Sequence, residues 1–207
     1  LLTNLDLTGD LTLTGRLAPQ PDTRIVNHGT LQLADPDTGD SGYIDTFSGS
    51  DNWTLINQTD ATIDLRGGTQ NVSYISRIAG TLDNHGTLNI TTTPNSNTPL
   101  AYVGDLLPRN GSLITGTGEL VAGDITAPQD GSTLTTTGID YEVQGQITGG
   151  PLTIDTTTPA TINAVNTDLL TNLDLTGDLT LTGRLAPQPD TRIVNHGTLQ
   201  LADPDTG

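Results

Sequence analysis

Residues 1–39 read LLTNLDLTGDLTLTGRLAPQPDTRIVNHGTLQLADPDTG, and residues 169–207 read the same, letter for letter. The copies lie 168 positions apart without a substitution. Chance does not give such identity, and fold constraints alone do not preserve every residue. The chain is therefore one 168-residue repeat, residues 1–168, followed by the opening of the next, residues 169–207. Within the phrase, Leu5 and Leu7 alternate with Asp6, Thr8-Gly9-Asp10 turns the chain, and Leu11 and Leu13 alternate with Thr12 and Thr14. Alternation with period two over runs this short predicts half-buried strands, and no 3.6-residue apolar stripe competes with it.

Outward from that stretch the pattern recurs. RIVNHGTLQL (24–33) returns as TLDNHGTLNI (81–90), with looser echoes in LINQTDATIDL (55–65) and LITGTGELV (113–121). Taking Ile25, Leu55, Leu82 and Ile114 as equivalent anchors gives spacings of 30, 27 and 32 residues. STLTTTGIDYEV (132–143), PLTID (151–155) and ATINAV (160–165) add further strands. Short strands recurring at intervals of this size predict an all-β chain coiled as a parallel β-helix, or β-solenoid. Equivalent strands of successive coils pair in parallel, and apolar ladders stack inside. If the repeat returns to the same phase, 168 residues make a whole number of coils: seven of about 24 or eight of about 21 residues. Two stretches interrupt the rhythm, 35–52 and 92–112, and both read as loops leaving the coil.

Composition agrees. Apolar residues are 32%, with one Phe, one Trp, no Met and no Cys. That suits a thin core of stacked aliphatic rungs better than the middle of a globule. There are 24 acidic residues against seven Arg and no Lys, for a net charge of −17. Nucleic acid and anionic membranes need basic residues to neutralise phosphate, so neither is expected as a partner. A salty or calcium-containing medium would screen the self-repulsion. No apolar run approaches the ~20 residues that span a bilayer.

The phrases NHGTLQL, NHGTLNI and SYISRIAGTLDNHGTL resemble those of filamentous-haemagglutinin-like and autotransporter-type surface proteins of Gram-negative bacteria. The resemblance runs loosely over the whole unit and implies a right-handed parallel β-helix in a secreted, elongated protein of the cell surface, often adhesive. Its implied partners are neighbouring repeats or identical subunits, and cell-surface glycans or other cells. It carries no site residues across. Uneven coils and the long perfect repeat depart from the family's shorter repeats.

Several chemistries merit weighing. Asp35, Asp37 and Asp40 space carboxylates along an acidic turn, as Ca²⁺ requires of hard oxygen ligands. The EF-hand order is not met, nor is the glycine-rich nonapeptide pattern, and a solvated acidic turn is the plain alternative. His28, His85 and His196 all stand in Asn-His-Gly turns, with no Cys or second His nearby to make a metal set, and read as exposed turn residues. The adjacent Asn27, Asn84 and Asn195 are expected to bond backbone at a corner. Asn166-Thr167-Asp168 matches a short motif of β-helical polysaccharide hydrolases. Those enzymes also use paired carboxylates facing across a cleft; here there is no Asp-Asp pair, and no enzyme is expected. Thr-x-Thr runs invite an ice-binding reading, against which stands ordinary β-propensity on a solvent face. Sequons occur at Asn52, Asn57, Asn71, Asn89 and Asn110. The function expected is extension, adhesion or matrix building in a long extracellular fibre, with a purely structural filament or sheath as the rival.

Overall fold

In a computed structural model, which describes residues 4–33, 42–45, 52–66, 76–91 and 100–202, the chain is all-β and its strands pair in parallel. Three faces repeat along one axis. The first opens with Asn4–Leu7, the second with Asp10–Leu13 and the third with Gly15–Leu17. Each then stacks rung upon rung, and among the described residues every face has nine rungs, about eight turns from bottom to top. The fold is a parallel β-solenoid.

Alternation decides what the core contains. On the first face Ile25, Leu55, Leu82, Leu106, Ile125, Ile147 and Leu169 follow one another as register partners. All are buried. On the second face Leu31, Ile63, Leu88 and Ile114 stack. On the third the column is Ile44, Ile78, Val103, Ala122, Val143 and Ala164. The alternating positions between them are mostly polar or aromatic, such as Asp64, Asn89, Arg77 and Tyr102, with Val26, Ile56, Leu107 and Val121 as apolar exceptions. A single rung buries little, so the solenoid is held by the contact of each turn with the next.

Two expectations are corrected together. Both supposed loops contain rungs. Gly42–Ile44 is a strand of the third face, with Ile44 fully buried, and Leu100–Pro108 crosses from the third face to the first, burying Val103 and Leu106. The ladder above Leu82 therefore continues to Leu106, while Ile114 stacks over Leu88 on the second face. The wide gap in sequence between Leu82 and Ile114 concealed a complete intervening rung.

The long strands Ser76–Asn84 and Leu100–Pro108 bend from the third face to the first, with a register shift between Val103 and Asp105, and Leu113–Ala127 runs over all three faces. Glycine makes this bend. A Cβ on Gly104 would stand 2.1 Å from the Ala79 carbonyl oxygen, and one on Gly123 2.2 Å from that of Gly104. One turn lower the corner is filled by Trp53, 2% exposed, against which Gly80 packs.

The whole-number expectation also gives way. From Asp10 the second-face ladder climbs through Thr30, Thr62, Thr87, Leu113, Thr135 and Asp155 to Thr176. The copy of Asp10 is Asp178. Seven turns fall short of the full repeat, because the turns differ in length and nothing in the pairing forces their sum to equal it.

Candidate functional site

The outward surface is best read column by column. On the third face Arg16, Tyr43, Arg77 and Tyr102 are successive register partners. The Arg77 guanidinium lies 4.9 Å from the centroid of the Tyr102 ring, a cation–π contact. Asp45 sits beside both arginines, with Oδ2 3.5 Å from Arg16 Nη2 and 3.9 Å from Arg77 Nε. In a chain with seven Arg and no Lys, two of them share this strip with two tyrosines. Sequence spacing concealed it, because the four residues are 27, 34 and 25 positions apart.

Higher on the same face the sign reverses. Tyr102 is followed by Val121, Glu142 and Asn163, and Glu119 pairs in register with Asp140. The Glu119 carboxyl is pushed up from its ordinary pKa by burial first, then by the charges of Glu142 and Asp140. Asp105 and Asp124 are neighbours in register near the adjoining corner. The Asp105 carboxyl is likewise raised, by burial first; the Thr126 hydroxyl, which donates to Asp105 Oδ1 at 3.0 Å, opposes this, and Asp124 adds to it.

On the second face Asp64, 5% exposed, accepts from Arg66 Nε at 2.6 Å, Asn89 Nδ2 at 3.1 Å and Thr91 Oγ1 at 3.1 Å. The carboxylate is satisfied on both oxygens, so it acts as a rivet between turns. Asp83 grips Arg109 through both oxygens and lies 3.2 Å from His85 Nε2.

The Asn-His-Gly corners carry the sharpest geometry. Asn27, Asn57 and Asn84 are fully buried and stacked in register. Asn27 Nδ2 donates to Asn57 Oδ1 at 2.9 Å, and Asn57 Nδ2 to Asn84 Oδ1 at 2.8 Å. Each of the two donors also reaches backbone of the turn above, Asn27 to Thr62 O at 3.0 Å and Asn57 to Thr87 O at 3.0 Å. Asparagine ladders of this kind polarise along the stack, as in cross-β assemblies. His28 and His196 are exposed, and His85 is half-buried. The expected backbone bonding is present at Asn27 and Asn195, which bond Gly29 and Gly197; Asn84 instead accepts from Asn57, and its Nδ2 has no hydrogen-bond partner among the described residues.

Asp35, Asp37 and Asp40 lie outside the described residues, as does Asn71. No group of three or more His, Cys, Asp or Glu suited to a metal ion occurs among the described residues. In the hydrolase-like motif, Thr167 is buried and its hydroxyl donates to Val143 O at 2.7 Å, a packing role. The threonine columns are interrupted by acids: Thr153 stacks under Asp174, and Thr135 under Asp155. Of the described sequons, Asn57 is sealed in its ladder and Asn89 is tied to Asp64, while Asn52 and Asn110 are exposed.

At the end nearest residue 202 the core opens. An apolar cavity of about 340 Å³ runs between Ile154, Leu175, Leu179 and Leu199. It is the interior of the last turns. Comparison with protein-family models, with curated proteins and with solved structures gives no match to this chain.

Proposed function

We propose that this chain is a section of a long tandem-repeat fibre outside the cell, acting in adhesion, surface extension or matrix building. The observation that carries the reading is the joining of the two copies. Leu173–Thr176 pairs onto Leu152–Thr156, and Asp178–Pro187 onto Ala160–Leu169, so a second repeat grows from the first without a break in the ladders. Each further repeat adds about 34 Å at ~4.8 Å per turn. One 168-residue unit carries 19 acids and five Arg, which is one net negative charge in about every 2.5 Å of rod. Such rods repel one another laterally and stay extended, and they associate where salt or divalent cations screen them. Among the described residues no helix is long and apolar enough to cross a membrane.

The resemblance to haemagglutinin-like and autotransporter-type surface proteins supports an extracellular setting, with glycans or other cells as partners. A second reading is a self-assembling structural filament with no ligand, held by the same ladder pairing that joins the two copies. Arrays of two, four and six repeats separate the readings. The fibre proposal expects rods whose length rises by about 34 Å per repeat, and adhesion expects their retention on cells or immobilised glycans. Rods that bind neither, and that join end to end, would favour the filament. Arrays that collapse into globules would defeat both.

A further inference from the structure

Two copies of one sequence in a single solenoid reveal how the repeat is phased around the axis. Seven steps up the first face lead from Leu5 to Leu169, whereas the copy of Leu5 is Leu173. Seven steps up the third lead from Gly15 to Leu181, whereas its copy is Gly183. On the second face Asp10 leads to Thr176, and its copy is Asp178. The second copy arrives two residues ahead on two faces and four ahead on the first.

The overshoot is even on every face. Side chains alternate across a strand, so an even displacement keeps inward residues inward, and an odd one would turn each Leu-x-Leu to solvent. Leu5, half-buried at the bottom of the stack, becomes Leu173, 3% exposed; Leu11, 43% exposed there, becomes Leu179, 3% exposed once Ala160 lies beneath it. The displacement also carries turns across an edge. Gly9 separates a first-face strand from a second-face strand, and Gly177 separates a second-face strand from a third-face one.

We infer that successive repeats stand out of phase, each rotated about the fibre axis ahead of the one before, so that every outward feature winds around the rod. The inference rests on the tandem-fibre reading. The turns leading into the second copy, from Ser132 to Leu152, Leu173 and Ile193, are compact and near-equal. The strands at 173–176 and 193–195 lie on the second face and those at 178–181 and 198–201 on the third, whereas the residues they copy lie on the first and the second. One face in three corresponds to a rotation of about 120° per repeat. The Arg16–Tyr43–Arg77–Tyr102 strip, the one basic and aromatic column of the described third face, then faces a new direction in each repeat. About three repeats complete the circuit. A rod so built offers the strip to partners on all sides, whereas an in-phase rod would offer it along a single edge.

The sequence has no cysteine, so introduced pairs report without ambiguity. In the 207-residue chain Asp155 and Thr176 are register partners. Parallel neighbours lie about 4.8 Å apart, within the span of a disulfide. Asp178 lies past the Gly177 corner, at the start of a third-face strand, and is not a register partner of Asp155. Asp155→Cys with Thr176→Cys is expected to oxidise, and Asp155→Cys with Asp178→Cys to stay reduced. The opposite result means an in-phase repeat and overturns the inference. Electron microscopy of a six-repeat array gives a second reading: a rotation of about 120° per unit is expected, and zero rotation overturns it whatever the thiols do. If arrays form no rods, the fibre reading fails while the cross-link in the 207-residue chain still reports the phase.

Discussion

Leu33 and Leu201 are the same residue of the repeat, and the first is fully buried while the second is 73% exposed. Above Leu33 stands Leu65, its register partner in the following turn; among the described residues Leu201 has a partner only below, Leu181. Ile25 and Ile193 repeat the contrast at 1% and 37%. Burial in this fold is thus a property of the neighbouring turn rather than of the local sequence. Leu33→Ala is expected to cost about 2–5 kcal/mol, as for other large-to-small changes in a packed core. Leu201→Ala, an identical change in an identical local sequence, is expected to stay within about 0.5 kcal/mol. Urea unfolding followed by the fluorescence of Trp53, the sole tryptophan, measures both. Equal losses would mean that the two ends of the solenoid are covered alike.

The asparagine ladder offers the same internal control. Asn57→Ala removes the donor to Asn84 and the acceptor for Asn27 in a fully buried stack. With buried partners left unsatisfied at about 1–3 kcal/mol each, a loss of about 2–4 kcal/mol is expected. Asn195 is exposed, and among the described residues its side chain bonds to Gly197, through its amide nitrogen at 2.7 Å and its oxygen at 3.2 Å. Asn195→Ala is expected to cost about 1 kcal/mol or less. Thermal melts of the two variants decide it.

Much of this was legible in the sequence, for a physical reason. Alternation with period two makes a strand readable residue by residue, so 132–143, 151–155 and 160–165 stood out as strand phrases, and strands run there over Ser132–Val143, Leu152–Thr156 and Ala160–Leu169. What could not be read was which strands share a face. Pairing joins residues a full turn apart, and turns here are uneven: the step from Ile25 to Leu55 is half as long again as that from Leu5 to Ile25. Without knowing where a turn carries extra chain, Ile114 took a place that belongs to Leu106. The Arg16–Tyr43–Arg77–Tyr102 strip was hidden by the same uneven spacing. The asparagine corners were legible because Asn-His-Gly recurs as a phrase, and Asn57 was half-legible, since its turn reads Asn-Gln-Thr.

Glycine should separate crowding from backbone strain. Gly104 bends a continuous strand against the turn below, where a Cβ would stand 2.1 Å from Ala79 O. Gly111 sits in an open turn at φ +85°, with nothing within 4 Å of an added Cβ. Gly111→Ala is expected to cost about 1–2 kcal/mol, the strain of a left-handed L-residue. Gly104→Ala forces the stacked backbones apart and is expected to exceed that, at about 3 kcal/mol or more, with loss at more than one rung. Hydrogen exchange reads the difference: protection lost only near residue 111 in one variant, and across the neighbouring rungs 76–84 and 113–127 in the other.

Mild acidity should stabilise this fold. Asp105 and Glu119 both have carboxyl pKa values raised by burial and by neighbouring acids. A group that holds its proton more tightly when folded contributes stability that is complete below its unfolded pKa and is lost as pH rises through the folded value. Lowering the pH from 7 toward the upper edge of the carboxylate range therefore adds stability from these two sites. It also relieves part of the repulsion in a chain of net charge −17. The melting temperature is expected to rise between pH 7 and about pH 5. Asp105→Asn with Glu119→Gln should raise the melting temperature at pH 7 and flatten the rise. Repeating the series in about 0.5 M salt screens the long-range repulsion and leaves the local contribution. If the variant in high salt keeps the full slope of the unaltered chain, the buried carboxyls are not its source.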